Sequence, residues 1–217
     1  MLDTRLKMIY ELLQGNIICD VGTDHCKLAA FAIKSGSAAH AFATDINEGP
    51  LSAAKRLIEK EGLSDKIETF LSDGFLDIPK DAFDKTDCFV IAGMGGELIR
   101  HILQGRKTDA YLVLQPMTAI NELVTFLCEN GYRIEKRTLC KDGDKIYHAM
   151  LARFDGVKRE PRVYGGYSKT PLYFEYLERE KKRIATAIRG IESSEKSDKS
   201  RLAPLFELEK EIENESK

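Results

Sequence analysis

Apolar residues recur along the first 155 positions in short runs separated by helical stretches. Leu2, Leu6, Ile9, Leu12 and Leu13 return at helical spacing, Asp3 or Thr4 can cap the start, and Gly15 ends this opening helix. Ile17, Ile18, Cys19 and Val21 form a β-leaning run that breaks at Gly22, and a helical pattern resumes from Lys27 to Lys34. The alternation continues. Strands are predicted over His40 to Thr44, Lys66 to Leu71, Cys88 to Ala92 and Tyr111 to Leu114. Helices are predicted from Glu48 to about Gly62, from Glu97 onward, and over Glu122 to Glu129. Two longer strands, Tyr132 to Leu139 and Lys145 to Phe154, meet at an Asp142-Gly143-Asp144 turn. Strand–helix units closed by a hairpin predict an α/β, doubly wound, Rossmann-like sheet, mostly parallel with one antiparallel strand.

From Glu160 the pattern changes. Pro161, Gly165, Gly166 and Pro171 form a linker. Tyr173, Leu177, Ile184, Ile188 and Ile191, then Leu205, Leu208 and Ile212, fall near a repeat of roughly 3.5 residues. With Ser193 to Ser200 as a polar connector, the spacing predicts an α-helical coiled-coil hairpin. The expected division is residues 1–158 and residues 159–217.

Composition narrows the class. Hydrophobic content of 43% with 31% charged residues fits a globular protein with a sizeable core. A formal net charge of −2 excludes a generally basic nucleic-acid coat but permits a local basic face. The first seven residues are too charged for a signal peptide, and no apolar run nears the roughly 18 residues of a membrane span. Cys19, Cys26, Cys88, Cys128 and Cys140 show no C-x-x-C spacing and lie mostly in apolar runs, so reduced thiols and a cytoplasmic location are expected.

Candidate chemistry collects at the predicted strand ends, where a doubly wound sheet binds ligands. Gly22-Thr23-Asp24-His25-Cys26-Lys27 lacks the later glycines of a dinucleotide fingerprint, and no P-loop lysine follows. The loop is acidic instead, which repels a pyrophosphate and suits a cationic ligand or sugar hydroxyls. Asp45 is placed to accept from both ribose hydroxyls, Asp73 from an adenine amino group, and Asp20 from an ammonium. Ribose, adenine and ammonium together describe S-adenosyl-L-methionine better than NAD.

Asp-Val-Gly-Thr-Asp-His (20–25), Asp-Ile-Asn-Glu-Gly-Pro-Leu (45–51), Ser-Asp-Gly (72–74), Ile-Ala-Gly-Met-Gly-Gly (91–96) and Leu-Gln-Pro (114–116), in this order, resemble the bacterial tRNA adenine-N1 methyltransferases that modify position twenty-two in the D-arm region. The resemblance covers about the first 155 residues, and the helical tail is also similar. It implies a class I methyltransferase fold, S-adenosylmethionine as donor and tRNA as acceptor. It places cofactor contacts at Asp20, Gly22, Asp24, His25, Asp45, Asn47, Asp73, Gly74 and Gly93. The chain departs from the family pattern at Met117, where Asn is usual, and at His148, where Glu is common.

Met94, Gly95 and Gly96, with Gln115 and Pro116, are the candidate acceptor-base residues. The Asn/Asp-Pro-Pro-aromatic motif of exocyclic-amine methyltransferases is absent here, whereas adenine N1 carries an in-plane lone pair and needs alignment more than activation. The glycines read either as room for the base or as tight helix packing. Asp24 is the candidate catalytic carboxylate, and the competing reading is helix capping or cofactor binding. Arg100, His101, Arg106, Lys107, Arg133, Lys136 and Arg137 are candidate phosphate contacts. In the tail, Arg179, Lys181, Lys182 and Arg183 read as either a solvated face or an RNA contact. The histidines show no metal-ligand spacing, so no metal is expected, and a monomer is expected. The rival functions are a same-fold methyltransferase acting on a small molecule or protein, and a non-catalytic RNA-binding protein retaining the cofactor fold. An NAD oxidoreductase ranks below both.

Overall fold

The short apolar runs become strands because both of their faces are covered. In the computed structural model, which describes residues 2–193 and 198–217, the order is α1 (Thr4–Tyr10), β1 (Ile17–Val21), α2 (Lys27–Ser35), β2 (His40–Asp45), α3 (Glu48–Glu61) and β3 (Ile67–Leu71). Then come α4 (Lys80–Lys85), β4 (Cys88–Met94), α5 (Gly96–Gly105), β5 (Tyr111–Pro116), α6 (Ile120–Glu129), β6 (Tyr132–Asp142) and β7 (Lys145–Phe154). The chain divides into two units, Met1–Glu160 and Pro161–Lys217; the second contains α7 (Pro171–Ser193) and α8 (Leu202–Glu215).

Seven strands form one sheet in the order β3-β2-β1-β4-β5-β7-β6. Strands β3, β2, β1, β4 and β5 pair in parallel, and β7 runs antiparallel to both neighbours. Side chains alternate faces with period two. Ile18, Ala41, Ala43, Cys88, Val90 and Val113 enter one core with residues of α1, α2 and α3. Cys19, Phe42, Phe89, Ile91, Leu112 and Leu114 enter the other with residues of α4, α5 and α6. A strand buried on both faces reads as an unbroken apolar run, which is why β1 and β4 show no polar alternation. All five cysteines are free and buried.

Several boundaries differ from expectation. The opening helix stops at Tyr10, and Leu12 and Leu13 follow in a turn. Helix α4 was not expected: six residues following Pro79 are too few to establish a period, although Ala82 and Phe83 are buried. The β6–β7 hairpin extends through Asp142, because the outer strands pair beyond the end of β5. In the second unit the helical hairpin is observed. Helix α7 buries Tyr173, Leu177, Ile184, Ile188 and Ile191, whereas Ile212 is the buried residue of α8 and Leu205 and Leu208 are half-exposed. The apolar face is thus more fully buried on α7 than on α8. Part of the expected connector, residues 194–197, lies outside the described residues.

Candidate active site

Strand order reverses between β1 and β4, and a cavity of about 460 Å3 opens beyond their carboxyl ends. Asp20, Gly22 and Asp24 line it from the end of β1, Asp45 and Asn47 from β2, Asp73 and Gly74 from β3, and Gly93 and Met94 from β4. Strand ends that are scattered through the sequence thus meet in one place.

Asp20 is only 7% exposed. Thr23, fully buried, donates its hydroxyl to Asp20 Oδ2 at 2.7 Å. The backbone N–H groups of Gly22 and Thr23 both donate to the Thr44 carbonyl at 2.8 Å, tying this loop to β2. Burial pushes the Asp20 carboxyl up to about 6; the charges of Asp24 and Asp45 add to the rise, while the Thr23 bond and the Arg5 charge oppose it. Such a carboxylate is stabilised by any cation that enters beside it.

The neighbouring acids are held by their own turns. Asp45 accepts from the Asn47 N–H at 2.8 Å. Ser72, buried, donates to the Gly74 carbonyl at 3.0 Å and accepts from the Asp77 N–H at 3.1 Å, and the Asp73 N–H donates to Asp77 at 3.2 Å. Asp24 stands at the mouth with its side chain 81% exposed, 3.1 Å from His25 Nε2. His25 itself is not among the lining residues.

The glycines after β4 have different tasks. Gly93 lies at a register shift in β4 with φ +76°, a left-handed conformation that favours glycine, and donates its N–H to Gln115 Oε1 at 3.1 Å. Gly96 is buried, and a Cβ there would meet the Ala119 and Thr118 carbonyl oxygens at 2.4 and 2.8 Å. The helix-packing reading therefore holds for Gly96, which cannot receive a base. Gly95, Gln115 and Pro116 also stand outside the lining; Gln115 is fully buried and donates to the Pro116 carbonyl at 3.0 Å. Met94 alone of the acceptor-base candidates reaches the cavity.

Most expected phosphate contacts are otherwise engaged. Arg106 lies 3.5 Å over the Phe83 ring and 3.5 Å from Asp84, and Lys107 lies over Phe154. Both precede β5, and Arg133, paired with Glu135, stands at the start of β6, so all three sit at the sheet edge opposite the cavity. Arg137 is only 4% exposed and cannot present itself to a phosphate. Arg100 pairs with Glu97 within α5 and, two residues after the cavity-lining Leu98, projects from a different side of the helix. Exposed His101 and Lys136 are not part of the cavity. In the tail, Arg179 pairs with Glu175, Arg183 with Glu180, and Lys181 approaches Glu213 at 3.9 Å. Lys182 instead lines a groove with Arg189 and Phe206.

The two departures from the family pattern are both placed. Met117 is 43% exposed and donates its N–H to the Met94 carbonyl at 2.8 Å. His148 is buried, and burial together with the Arg137 charge holds its imidazole down to about 3, so it is neutral at physiological pH. Thr23, Ser72 and Arg5 were missed as site residues. Thr23 follows Asp20 by three positions, a spacing suited to a side-chain turn bond, and Ser72 lay inside a motif whose neighbours drew attention. Arg5 had no local signal.

The fold and site define a methyltransferase: residues 2–150 match the family model described as a methyltransferase domain, and the chain belongs to that family. Over 156 residues it is 33% identical to a Bacillus subtilis tRNA (adenine(22)-N(1))-methyltransferase, covering 70% of this chain and 64% of that relative, a little under two thirds of its length. The structure of the Bacillus subtilis M1A22 tRNA methyltransferase TrmK superposes with a TM-score of 0.85 at 26% identity, covering 100% of this chain and 99% of that one. M. capricolum TrmK in complex with S-adenosylhomocysteine shares the fold, with a TM-score of 0.84 at 23% identity and coverage of 100% and 98%.

Gly96→Ala is expected to destabilise the protein by about 1–3 kcal/mol in denaturant titration, because backbone rather than a flexible side chain opposes the added carbon. Retention of full stability would show that Gly96 is free to serve a ligand. For Asp20, the folded carboxyl titrates near 6 rather than its ordinary 3.8. Its favourable contribution is complete below the ordinary value and is lost as pH rises through about 6. Asp20→Asn should therefore gain stability relative to wild type between pH 4 and pH 8, by at most about 3 kcal/mol. Parallel stability–pH curves for the two proteins would contradict this.

Proposed function

We propose that the chain is an S-adenosylmethionine-dependent methyltransferase acting on N1 of an adenine in tRNA, at position twenty-two of the D-arm region. The observation that carries the cofactor assignment is the desolvated Asp20 carboxyl at the strand-order reversal, flanked by Asp45 and Asp73 on successive strand ends. These residues fit the group. Asp20 accepts from its ammonium, Asp45 from its ribose hydroxyls and Asp73 from its adenine amino group. Gly22, Asn47, Gly74 and Gly93 complete the lining, and His25 orients Asp24. The named Bacillus subtilis relative supports the choice of acceptor.

S-adenosylmethionine supplies an electrophilic methyl on a sulfonium. The protein has to align the acceptor lone pair with it and exclude water, and alignment alone is worth roughly 7–11 kcal/mol of a barrier. Met94 at the cavity wall, with Met117 bonded to its carbonyl, lies where a base entering from the mouth would meet the β4 loop. Asp24, at the same mouth, is placed to stabilise the positive ring that N1 methylation creates. A paired adenine must leave its stack to enter, at a cost of a few kcal/mol.

Residues 1–158 carry the cofactor and the chemistry in this proposal, and residues 159–217 contact tRNA, led by Lys182 rather than by the ion-paired Arg179 and Arg183. The protein acts as a cytoplasmic monomer without a metal. Among the described residues no helix is long and apolar enough to cross a membrane.

Incubation of the full chain with S-adenosylmethionine and unmodified tRNA should yield N1-methyladenosine by nucleoside mass spectrometry. Methyl transfer to a small molecule or protein without RNA, or tRNA binding with no transfer, would favour the rival functions. Calorimetry should show Asp45→Ala weakening S-adenosylmethionine by about 1.5–3 kcal/mol, the scale of bonds to a charged group. Because Asp24 is largely exposed, its electrostatic effect is screened. Asp24→Asn should therefore lower the single-turnover rate at saturating cofactor and tRNA by about tenfold, near 1.4 kcal/mol. An unchanged rate would remove Asp24 from catalysis.

A further inference from the structure

Methionine is unbranched and turns freely about its side-chain bonds, so an exposed one ordinarily samples several rotamers. Met117, directly after β5 and 43% exposed, is instead tethered from behind. Its Sδ accepts from Gln115 Nε2 at 3.4 Å, and its N–H donates to the Met94 carbonyl at 2.8 Å. Gln115 is fully buried and its amide is used to capacity. Nε2 also donates to the Pro116 carbonyl at 3.0 Å, while Oε1 accepts from Arg5 Nη1 at 2.9 Å and from the Gly93 N–H at 3.1 Å. One buried amide thus ties the Met117 thioether to Gly93 of the cavity wall.

The backbone around Met117 is fixed as well. The Gly96 N–H donates to the Thr118 carbonyl at 2.8 Å, so residues 117 and 118 are bonded to the β4 loop on either side of Gly95. Ala119 then stands at φ +52° and ψ +44°, a left-handed conformation that residues with a side chain adopt only where their surroundings impose it. Met94 pairs with Pro116 in the sheet and lines the cavity, and its Cε lies where a Cβ on Gly22 would collide with it. Its side chain therefore reaches from β4 to the loop after β1, whereas Met117 stands just outside the cavity on the β5 side. Two thioethers border the β4 loop, one in the wall and one on the rim. Each offers polarisable apolar surface suited to an aromatic ring, and only a weak hydrogen-bond acceptor.

We propose that Met117 is a specificity-determining residue of the methyl-acceptor site: its thioether packs on the base that enters beside Met94, holding the ring by dispersion and sulfur–aromatic contact rather than by hydrogen bonds. This assignment rests on the tRNA adenine reading above. A wall of this kind selects by the area of ring laid against it, which favours a purine over a pyrimidine. The Gln115 amide gives the wall its precision, because the thioether that meets the base is fixed to the same group that positions Gly93.

Binding of the full chain to tRNA carrying either adenine or an abasic nucleotide at the methylated position separates a base contact from a structural role. Met117→Ala should weaken the adenine-bearing tRNA by about three- to tenfold, the range of a thioether–ring contact, and leave the abasic tRNA within about twofold. Methylation at subsaturating tRNA should fall in parallel. Met117→Leu, which keeps the apolar surface, should recover most of the loss, whereas Met117→Gln, of similar length with a polar end, should not. Affinity for S-adenosylmethionine, read by calorimetry, should be retained in all three variants, because Met117 lies outside the cavity. Equal losses on the two tRNAs, or a loss of cofactor affinity alongside them, would make Met117 a merely structural residue and overturn the proposal. So would wild-type behaviour of Met117→Ala, or equal effects of leucine and glutamine. Failure of wild type to form N1-methyladenosine in tRNA would remove the acceptor reading and the wall with it.

Discussion

Asp20 is carried to the buried end of a central strand by register: it sits opposite Ala43 of β2 and Val90 of β4, with the Thr23 hydroxyl closing on Oδ2 at 2.7 Å. A carboxylate removed from water in this way is stable only if it is protonated, hydrogen-bonded or matched by a cation. The fold supplies one hydrogen bond and a guanidinium from another element, yet burial still raises the carboxyl to about 6. The rest of the site follows. The β1–α2 loop is tied to the Thr44 carbonyl because Thr23 must stay over Asp20, and the ligand-facing acids of β2 and β3 fan out from that point.

On the other side of the strand-order reversal, Gln115 plays a matching part. It is an amide without exposed surface, and its oxygen serves two donors that lie far apart in sequence, Arg5 and Gly93. Removing it would leave a half-buried guanidinium and a left-handed glycine without their common acceptor. The β4 loop is thus held by a side-chain hub as well as by the sheet. Gly93 and Gly96 divide the conformational work: one turns the chain at the bulge, and the other lets α5 meet the Thr118–Ala119 backbone.

Charge is sorted by the polarity of the sheet. Parallel strands send their carboxyl ends to one edge, where acids gather around the cavity, and their starts to the other, where Arg106, Lys107 and Arg133 are engaged by rings and carboxylates. A net charge of −2 hides this separation. An acidic cavity favours a cationic ligand and disfavours a free phosphate. Lys182 and Arg189, flanking Phe206 in the groove of the second unit, combine a basic edge with an aromatic surface.

The succession of strands along the chain, the open acidic loop after β1 and the acids after β2 and β3 were legible in the sequence because each depends on neighbours a few residues away. Apolar runs, turn glycines and period-two burial are local properties, and strand ends in a doubly wound sheet converge by topology. Helix α4 was too short to show a period, and the burial of Arg137 and His148 has no local mark. Arg5 is one of 33 lysines and arginines and belongs to the site only because α1 packs beside a strand more than a hundred residues away in sequence. The sequence left Gly96 open to two readings, room for a ligand or tight helix packing, and the backbone of residues 118–119 fills that room. Sequence by itself determined which residue types stand at the strand ends. Tertiary structure alone decided which charges are desolvated, which cations are already paired and which distant side chain faces the cavity, because burial and electrostatic contact depend on distances that the chain sets only when it folds.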